Sequence, residues 1–538
     1  MIRADAVDPL EARAHSDRVV AAAFGLAAIL VAGVAVQAFG KAMNDPDSMS
    51  SVLYFQRIAA GQQLEVYTLT TPKPLLTAVY GVTWNLFHDW RAIVWETLLV
   101  HGLGVGMAAL LATRLAGVAA GSFIGVFLIL SSPHLLEVSQ ANSLVWALAG
   151  WLMAGLAVTT AQPRFGLAGL GLLLAATARL ETFIILAAAT AAIALLGLLE
   201  VAGRAPGGAI SARRTLPLLL GWLALPIQLL HDVLLIGNPF YWLSMPAAYT
   251  ALARPGLRPM PLDVYLGELG EQYADDRLLI VLALVGAGFL IRRRRWSMLI
   301  GLVSLTFGVF ALLTSLALRG LFIDGRYYEQ PALAIAFAAA IGVGGLVGLA
   351  ARALGPRLGL SALPAGAAPA GAAVAGVLAV ALSSFPIAPF NDEIVTRFDR
   401  LRAASANVER LMPELREVLD AADGPPPVAV PGPQGFTVLD PRQTSLFVPR
   451  SLQRRVAIET DALLTRIGDS QVAFGSTPPQ DVLLPGQFVY HDANIDVPPE
   501  AFTAFETAQP STLGALRLIP LQADPAAGLW WLAVEAAE

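Results

Sequence analysis

Apolar runs separated by short, basic loops fill the chain from its N-terminus to about residue 390. A helix needs about 20 mostly apolar residues to cross a bilayer, fewer where neighbours bury its ends. On that measure the pattern predicts about eleven spans: 19–39, 92–113, 115–132, 143–160, 165–178, 182–200, 215–236, 278–291, 297–318, 329–350 and 366–387. Beyond residue 390 the pattern changes. Leu401, Val408, Leu411, Leu415 and Leu419 mark one amphipathic helix. After Gly424-Pro425-Pro426-Pro427 come short β-type runs, Val428–Val430, Val482–Leu484 and Leu529–Val534, broken by Pro and Gly. The expected fold is mainly α: a polytopic bundle of about 11 transmembrane helices over 1–390, with a small soluble α/β domain over 391–538.

Two loops are long, about 40–91 and 237–277. Val52, Phe55 and Ala59 stand at helical spacing between Ser48 and Gln63, as in a helix lying along a membrane surface, and Val264, Leu266 and Leu269 repeat the pattern in 263–277. Residues 353–371 are rich in Gly, Pro and Ala and read as a flexible connection.

Composition supports this reading. Of 538 residues, 56% are hydrophobic and 14% charged, whereas a soluble domain is nearer 45–50% apolar and about 25% charged. Mean hydropathy is +0.63. Disorder, coiled coil and collagen are excluded, and the absence of cysteine removes disulfides, thiolate metal sites and cysteine nucleophiles.

Charge sets the orientation. Residues 391–538 carry 20 acidic and 11 basic side chains, and 1–390 carry 20 and 24. With the N-terminus inside, Arg114, Arg164, Arg204, Arg213, Arg214, the Arg292–Arg295 run, Arg352 and Arg357 all fall in inner loops. An odd number of spans then puts the C-terminal domain outside. Asp5, Asp8, Glu11 and Asp17 precede the first span, which reads as a retained anchor and not a cleaved signal. The expected location is the plasma membrane, multi-pass, with a cytoplasmic N-terminus and an extracytoplasmic C-terminal domain.

Charged groups at membrane depth are costly and usually functional. The richest set follows the first span: Asn44-Asp45-Pro46-Asp47, Arg57, Gly61 and Thr71-Pro72-Lys73-Pro74-Leu75. Two carboxylates beside a proline turn can converge on one hydroxyl or one cation, and Lys73 can meet an anion in the same pocket. Asp45 and Asp47 equally suit capping of a helix near Ser48; capping and catalysis are not exclusive. Lys41 and Lys73 are the only lysines of the chain, and both lie in this loop.

Asp47, Tyr54, Ala59, Ala60, Gly61 and Lys73-Pro74-Leu75 resemble the first external loop of GT-C glycosyltransferases, nearest the branch of the lipid A aminoarabinose transferase and the protein O-mannosyltransferases. Three later stretches fit in order. Ala178-Arg179-Leu180-Glu181 is similar to the family's Ser-Arg-Pro-Glu, and Gly237-Asn238-Pro239-Phe240-Tyr241 to its Gly-Asp-Pro-Leu-Tyr. Gly325-Arg326-Tyr327-Tyr328-Glu329-Gln330-Pro331 is similar to its Arg-Tyr-x-x-x-Pro. The chain departs from the family in the second external loop, where Ser139-Gln140-Ala141-Asn142-Ser143 replaces a stretch that often carries an acidic residue; Glu137 is the nearest carboxylate. That departure leaves a divalent cation an open question.

The resemblance implies transfer of a sugar from a polyprenyl-phosphate-linked donor to an acceptor hydroxyl at the outer face, with inversion. The acceptor would be a cell-envelope glycan, glycolipid or protein, and the partners are membrane lipids and no nucleic acid. Asp47 or Asp45 would be the base; counting back from Gly61 favours Asp47. Lys73, Arg326 and Arg179 would face the phosphate, with Tyr327, Tyr54 and Glu181 lining the substrate. Bland readings stand beside these: Arg179–Glu181 as a short-loop ion pair, Arg326 paired with Asp324 or Glu329, and Tyr327 and Tyr328 as an interfacial belt. His231-Asp232 reads as a buried polar pair, and His88, His101 and His134 lack metal-ligand spacing. In the C-terminal domain His491-Asp492 reads as a loop pair and Trp530-Trp531 as core or sugar platform. Two other classes fit the composition, a transporter or flippase and a non-catalytic envelope assembly protein; the first calls for charges near the bilayer midplane.

Overall fold

The computed structural model describes residues 9–39, 46–61, 63, 73–87, 90–160, 162–203, 211–244, 246–247, 258–273, 277–321, 325–354 and 367–382, together with six strands between 428 and 536. The side chains of Asp47 and Arg326 lie outside the described residues, as do Asp45, the loop 355–366, the expected helix through Leu401–Leu419 and the expected strand Val482–Leu484.

The helices are α1 (Pro9–Phe39), α2 (Pro46–Ala59), α3 (Pro74–Phe87), α4 (Trp90–Ala116), α5 (Val118–Leu130), α6 (Ser132–Ser139), α7 (Ser143–Thr159) and α8 (Phe165–Ala178). They continue as α9 (Thr182–Val201), α10 (Ala212–Ile236), α11 (Leu262–Gln272), α12 (Arg277–Arg292), α13 (Trp296–Leu318), α14 (Glu329–Leu354) and α15 (Ala367–Leu382). The described residues of the eleven apolar stretches are helical apart from Gly117, Ser131 and Thr160. Among the described residues, six helices are long and apolar enough to cross a membrane alone: α1, α4, α9, α10, α13 and α14. The chain is a multi-pass membrane protein. α5, α7, α8 and α15 are shorter apolar helices.

Helices stand where the spacing in the two long loops predicts them, as α2 and α11. α2 begins two residues before Ser48, with Pro46 first, where a missing N–H costs nothing. It stops at Gly61, whose φ of 64° is open to glycine and costly to most residues. α3, inside the first long loop, was not expected. Pro74 opens it, and the Thr77 N–H donates to the Lys73 carbonyl at 2.9 Å, so Lys73 stands at its positive end.

Lipid supplies no hydrophobic drive between apolar helices, so close packing of small residues holds the bundle together. A Cβ on Gly150 in α7 would lie 2.6 Å from the Gly171 carbonyl oxygen in α8, and one on Gly342 in α14 would lie 2.1 Å from that of Leu282 in α12. α4 and α14 are central, with 67% and 61% of their apolar windows buried, whereas α9 and α13, at 17% each, turn most of their surface outward. Their core runs through Leu111, Ala112, Phe123, Phe127, Leu290, Ile341 and Val380. Two breaks interrupt regular helix: Pro217 lies in a tightened 3₁₀ stretch, Leu216–Leu223, and α13 carries a π turn at Ser304–Gly308.

The strands are β1 (Val428–Gly432), β2 (Gly435–Val438), β3 (Phe488–Asp492), β4 (Ser511–Leu513), β5 (Leu516–Asp524) and β6 (Leu529–Ala536), in the order β2-β1-β3-β6-β5-β4. Among the described strands, β1 and β3 pair parallel and the other neighbours antiparallel. His491 and Asp492 lie in β3 and not in a loop, opposite Trp530 and Leu529 of β6. The backbone correction follows from flanking residues: Phe488, Val489 and Tyr490 favour strand and carry the pair with them.

Candidate active site

The candidate residues sit on helix ends. Lys73 precedes α3, Arg179 ends α8, Glu181 opens α9, and Glu329 and Gln330 open α14. Asp47 is the second residue of α2. Arg326 and Tyr327 belong to a short helical turn, Gly325–Tyr328, leading into α14.

Glu181 is the hub. Its Oε1 accepts a hydrogen bond from Gln330 Nε2 at 2.9 Å, and Arg179 Nε lies 3.9 Å from Oε2. Burial pushes the Glu181 carboxyl up, but Arg179, its own backbone amide, Gln330 and Lys73 outweigh burial and hold it below its ordinary 4.5. It is a carboxylate at neutral pH, flanked by two cations that are themselves buried. The Arg179 guanidinium also lies over the Tyr327 ring, 6.0 Å from its centroid, which suits a planar cation.

Four expected site residues, Lys73, Arg179, Glu181 and Tyr327, are thus brought together from three separate stretches. Tyr54 joins a different cluster, with Ile58, Leu235 and Ile236, and meets His231 edge-on at 6.5 Å. The backbone turn at Arg326 adjoins Tyr327. Glu329, one of two alternative partners read for Arg326, has its Oε1 3.2 Å from His134 Nδ1. In the stretch Ser139–Ser143, Asn142 caps α7 by accepting from the Leu144 N–H at 3.1 Å, and the Tyr80 hydroxyl donates to the Ala141 carbonyl at 2.7 Å. No group of three His, Asp or Glu residues among those described is arranged to hold a metal ion.

Sequence reading passed over Gln330 and His134. Gln330 occupied an unspecified place in a motif, and His134 was weighed only for metal spacing. Both are fully buried; only the fold brings them to their carboxylate partners.

Near the polar group a cavity of about 520 Å³ opens between α4, α5, α7, α8, α9, α10, α13 and α14. Its walls are apolar: Trp151, Ile185, Leu196, Met298, Leu333 and Ala334 are representative. Ile185 and Ala334 stand four residues beyond Glu181 and Gln330, about 6 Å along each helix axis. From Ile185 to Leu199 the lining of α9 runs for about 21 Å. Trp151 donates from Nε1 to Thr182 Oγ1 at 3.1 Å and so fixes the wall to the residue after Glu181.

No protein-family model and no curated protein matches the sequence. Solved structures do. ArnT from Cupriavidus metallidurans, bound to undecaprenyl phosphate, superposes with a TM-score of 0.52 over 95% of this chain and 97% of its own, at 13% identity. The chain has the GT-C fold. The apo form of the same ArnT gives 0.48 at 14% identity over 94% and 97%. An oligosaccharyltransferase from Archaeoglobus fulgidus, tethered to an acceptor peptide, gives 0.45 at 12% identity over 87% and 69%. Within the GT-C fold of this chain, the apolar cavity begins one helical turn beyond Glu181 on α9 and Gln330 on α14, at Ile185 and Ala334.

Proposed function

We propose that the chain is an inverting glycosyltransferase that moves a sugar from a polyprenyl-phosphate-linked donor to an acceptor hydroxyl at the outer face of the plasma membrane, in synthesis of a cell-envelope glycan or glycolipid. The observation that carries the reading is the junction of two cations, Lys73 and Arg179, with a long apolar cavity one helical turn away. An amphiphile with an anionic head and a long hydrocarbon tail matches both halves. The fold-level match to ArnT, a structure containing undecaprenyl phosphate, supports the same ligand class. In this reading the bundle crosses the membrane eleven times, and residues 391–538 are an extracytoplasmic domain.

The residue types suit the chemistry. A carboxylate at the start of α2, Asp47 with Asp45 as the alternative, takes the proton from the acceptor hydroxyl. The hydroxyl oxygen forms a bond to the anomeric carbon on the face opposite the phosphate. The bond from that carbon to the phosphate oxygen breaks, and its electron pair leaves with the polyprenyl phosphate. Negative charge therefore grows on the phosphate in the transition state, where Lys73, Arg179 and Arg326 stabilise it. Glu181 holds the two buried cations in place, Tyr327 shapes the space for the sugar and lipid, and Tyr54, edge-on to His231, steadies α2.

The test is reconstitution in vesicles with a panel of polyprenyl-phosphate sugars that differ in sugar and prenyl length. At least one donor should release polyprenyl phosphate in step with sugar transfer. Lys73→Ala and Arg179→Ala should each lower kcat/KM by about 10²- to 10³-fold. Absence of release from every donor refutes the reading.

A further inference from the structure

The end of α10 carries a buried polar knot that the proposed chemistry does not use. His231 is buried and Asp232 fully so. Asp232 Oδ1 accepts from Gln228 Nε2 at 2.8 Å, and Oδ2 accepts from the backbone N–H of Trp242 at 2.9 Å. That second bond holds the loop after Gly237 against the helix. His231 Nε2 lies 3.0 Å from Thr77 Oγ1, in the first turn of α3, and the Thr77 N–H in turn donates to the Lys73 carbonyl. Tyr54 of α2 sets its ring edge-on to the same imidazole. Gln63, beyond the end of α2, donates from Nε2 to the Val233 carbonyl at 3.0 Å.

These contacts share one direction. α2, with Asp47 in its first turn, and α3, with Lys73 before it, form an arm that packs on itself through Phe55 and Gly81. Two polar attachments tie it to α10, Thr77 to His231 and Gln63 to the Val233 carbonyl. Nδ1 of His231 lies 3.7 Å from Asp232 Oδ1 and makes no hydrogen bond among the described residues, so the hold on Thr77 rests on the Nε2 edge alone.

We propose that His231 is a positioning residue for the transfer reaction: its Nε2 bond to Thr77 holds the Asp47–Lys73 arm in register with Arg179 and Glu181. The inference rests on the glycosyltransferase reading for its kinetic consequence but not for its structural one. Buried polar bonds of this kind set geometry, and small displacements of reacting groups cost rate more than binding.

The test compares His231→Ala, His231→Asn and His231→Gln in the full-length protein in vesicles. A glutamine amide reaches the place of Nε2, whereas an asparagine amide reaches only that of Nδ1. His231→Ala and His231→Asn should lower kcat by about 10- to 100-fold with KM for the lipid donor within about twofold, and His231→Gln should recover most of it. Equal rates for the Asn and Gln variants, or a raised KM at unchanged kcat, overturn the proposal. Deuterium uptake by residues 73–84 gives a second reading that needs no activity: it should rise in the Ala and Asn variants and stay low in the Gln variant. A wild-type protein inactive on every donor sinks the glycosyltransferase reading and leaves this exchange test standing; uniform uptake in all three variants sinks the positioning role whatever the activity.

Discussion

Gln330 Nε2 donates to Glu181 Oε1 across 2.9 Å, joining residues 149 apart in sequence at the shared head of α9 and α14. The bond is charge-assisted and Gln330 is fully buried, so its loss leaves a buried carboxylate short of a donor. Gln330→Leu should destabilise the protein by about 1–3 kcal/mol and raise the Glu181 pKa. Thermal unfolding of the detergent-solubilised protein checks the first effect, and a pH series checks the second.

Because its partners hold the Glu181 carboxyl below 4.5, the folded state binds that proton less readily than the unfolded chain. The stabilisation from Glu181 is therefore complete above pH 4.5 and disappears as the pH falls through the lower folded value. Thermal midpoints of the wild type should drop on acidification in that range. Glu181→Gln should start lower at neutral pH and show a shallower acid decline. Parallel curves for the two proteins contradict the ionised assignment.

The cavity makes a distinct prediction. Ala189 on α9 lines its wall, and Ala189→Phe places a ring in the path of a long chain. KM for long-chain donors should rise by about tenfold, while KM for short-chain donors stays near the wild-type value. Michaelis constants across a prenyl-length series decide it, and an equal effect at all lengths removes the cavity from tail binding.

Close helix contact can be tested apart from function. A Cβ on Gly342 would meet the Leu282 carbonyl oxygen, whereas one on Gly348, further along the same helix, would meet nothing within 4 Å. Gly342→Ala should cost about 1–3 kcal/mol. Gly348→Ala should be neutral or stabilise by about 0.5–1 kcal/mol, because alanine restricts the unfolded chain. Unfolding curves of both variants give the comparison.

The spans were legible because burial in lipid demands apolarity over a known length, as in Arg18–Val36 and Glu329–Leu354. α3 escaped because Pro74–Phe87 is only 14 residues and lies within a loop that reads as amphipathic. β5 escaped because Pro520 interrupts it; the ladder absorbs that proline through a register shift between Pro520 and Gln522. In the site, Arg179 and Glu181 were legible as neighbours in a motif. Gln330–Glu181 and His134–Glu329 span 149 and 195 residues, distances over which no local pattern carries information. His231 was legible as buried but not as a link to Thr77, because that link requires α3.

The central claim is that a carboxylate at the start of α2 and a cation at the start of α3 together displace a polyprenyl phosphate. Its most direct test is single-turnover release of polyprenyl phosphate from the saturating active donor by the wild type, Asp47→Asn and Lys73→Ala, with each variant first shown to be folded. Release by Asp47→Asn should fall by about 10²-fold or more while donor binding is retained, and Lys73→Ala should lose binding and rate together. Asp47→Asn and Asp45→Asn both releasing lipid phosphate at close to the wild-type rate would contradict the account.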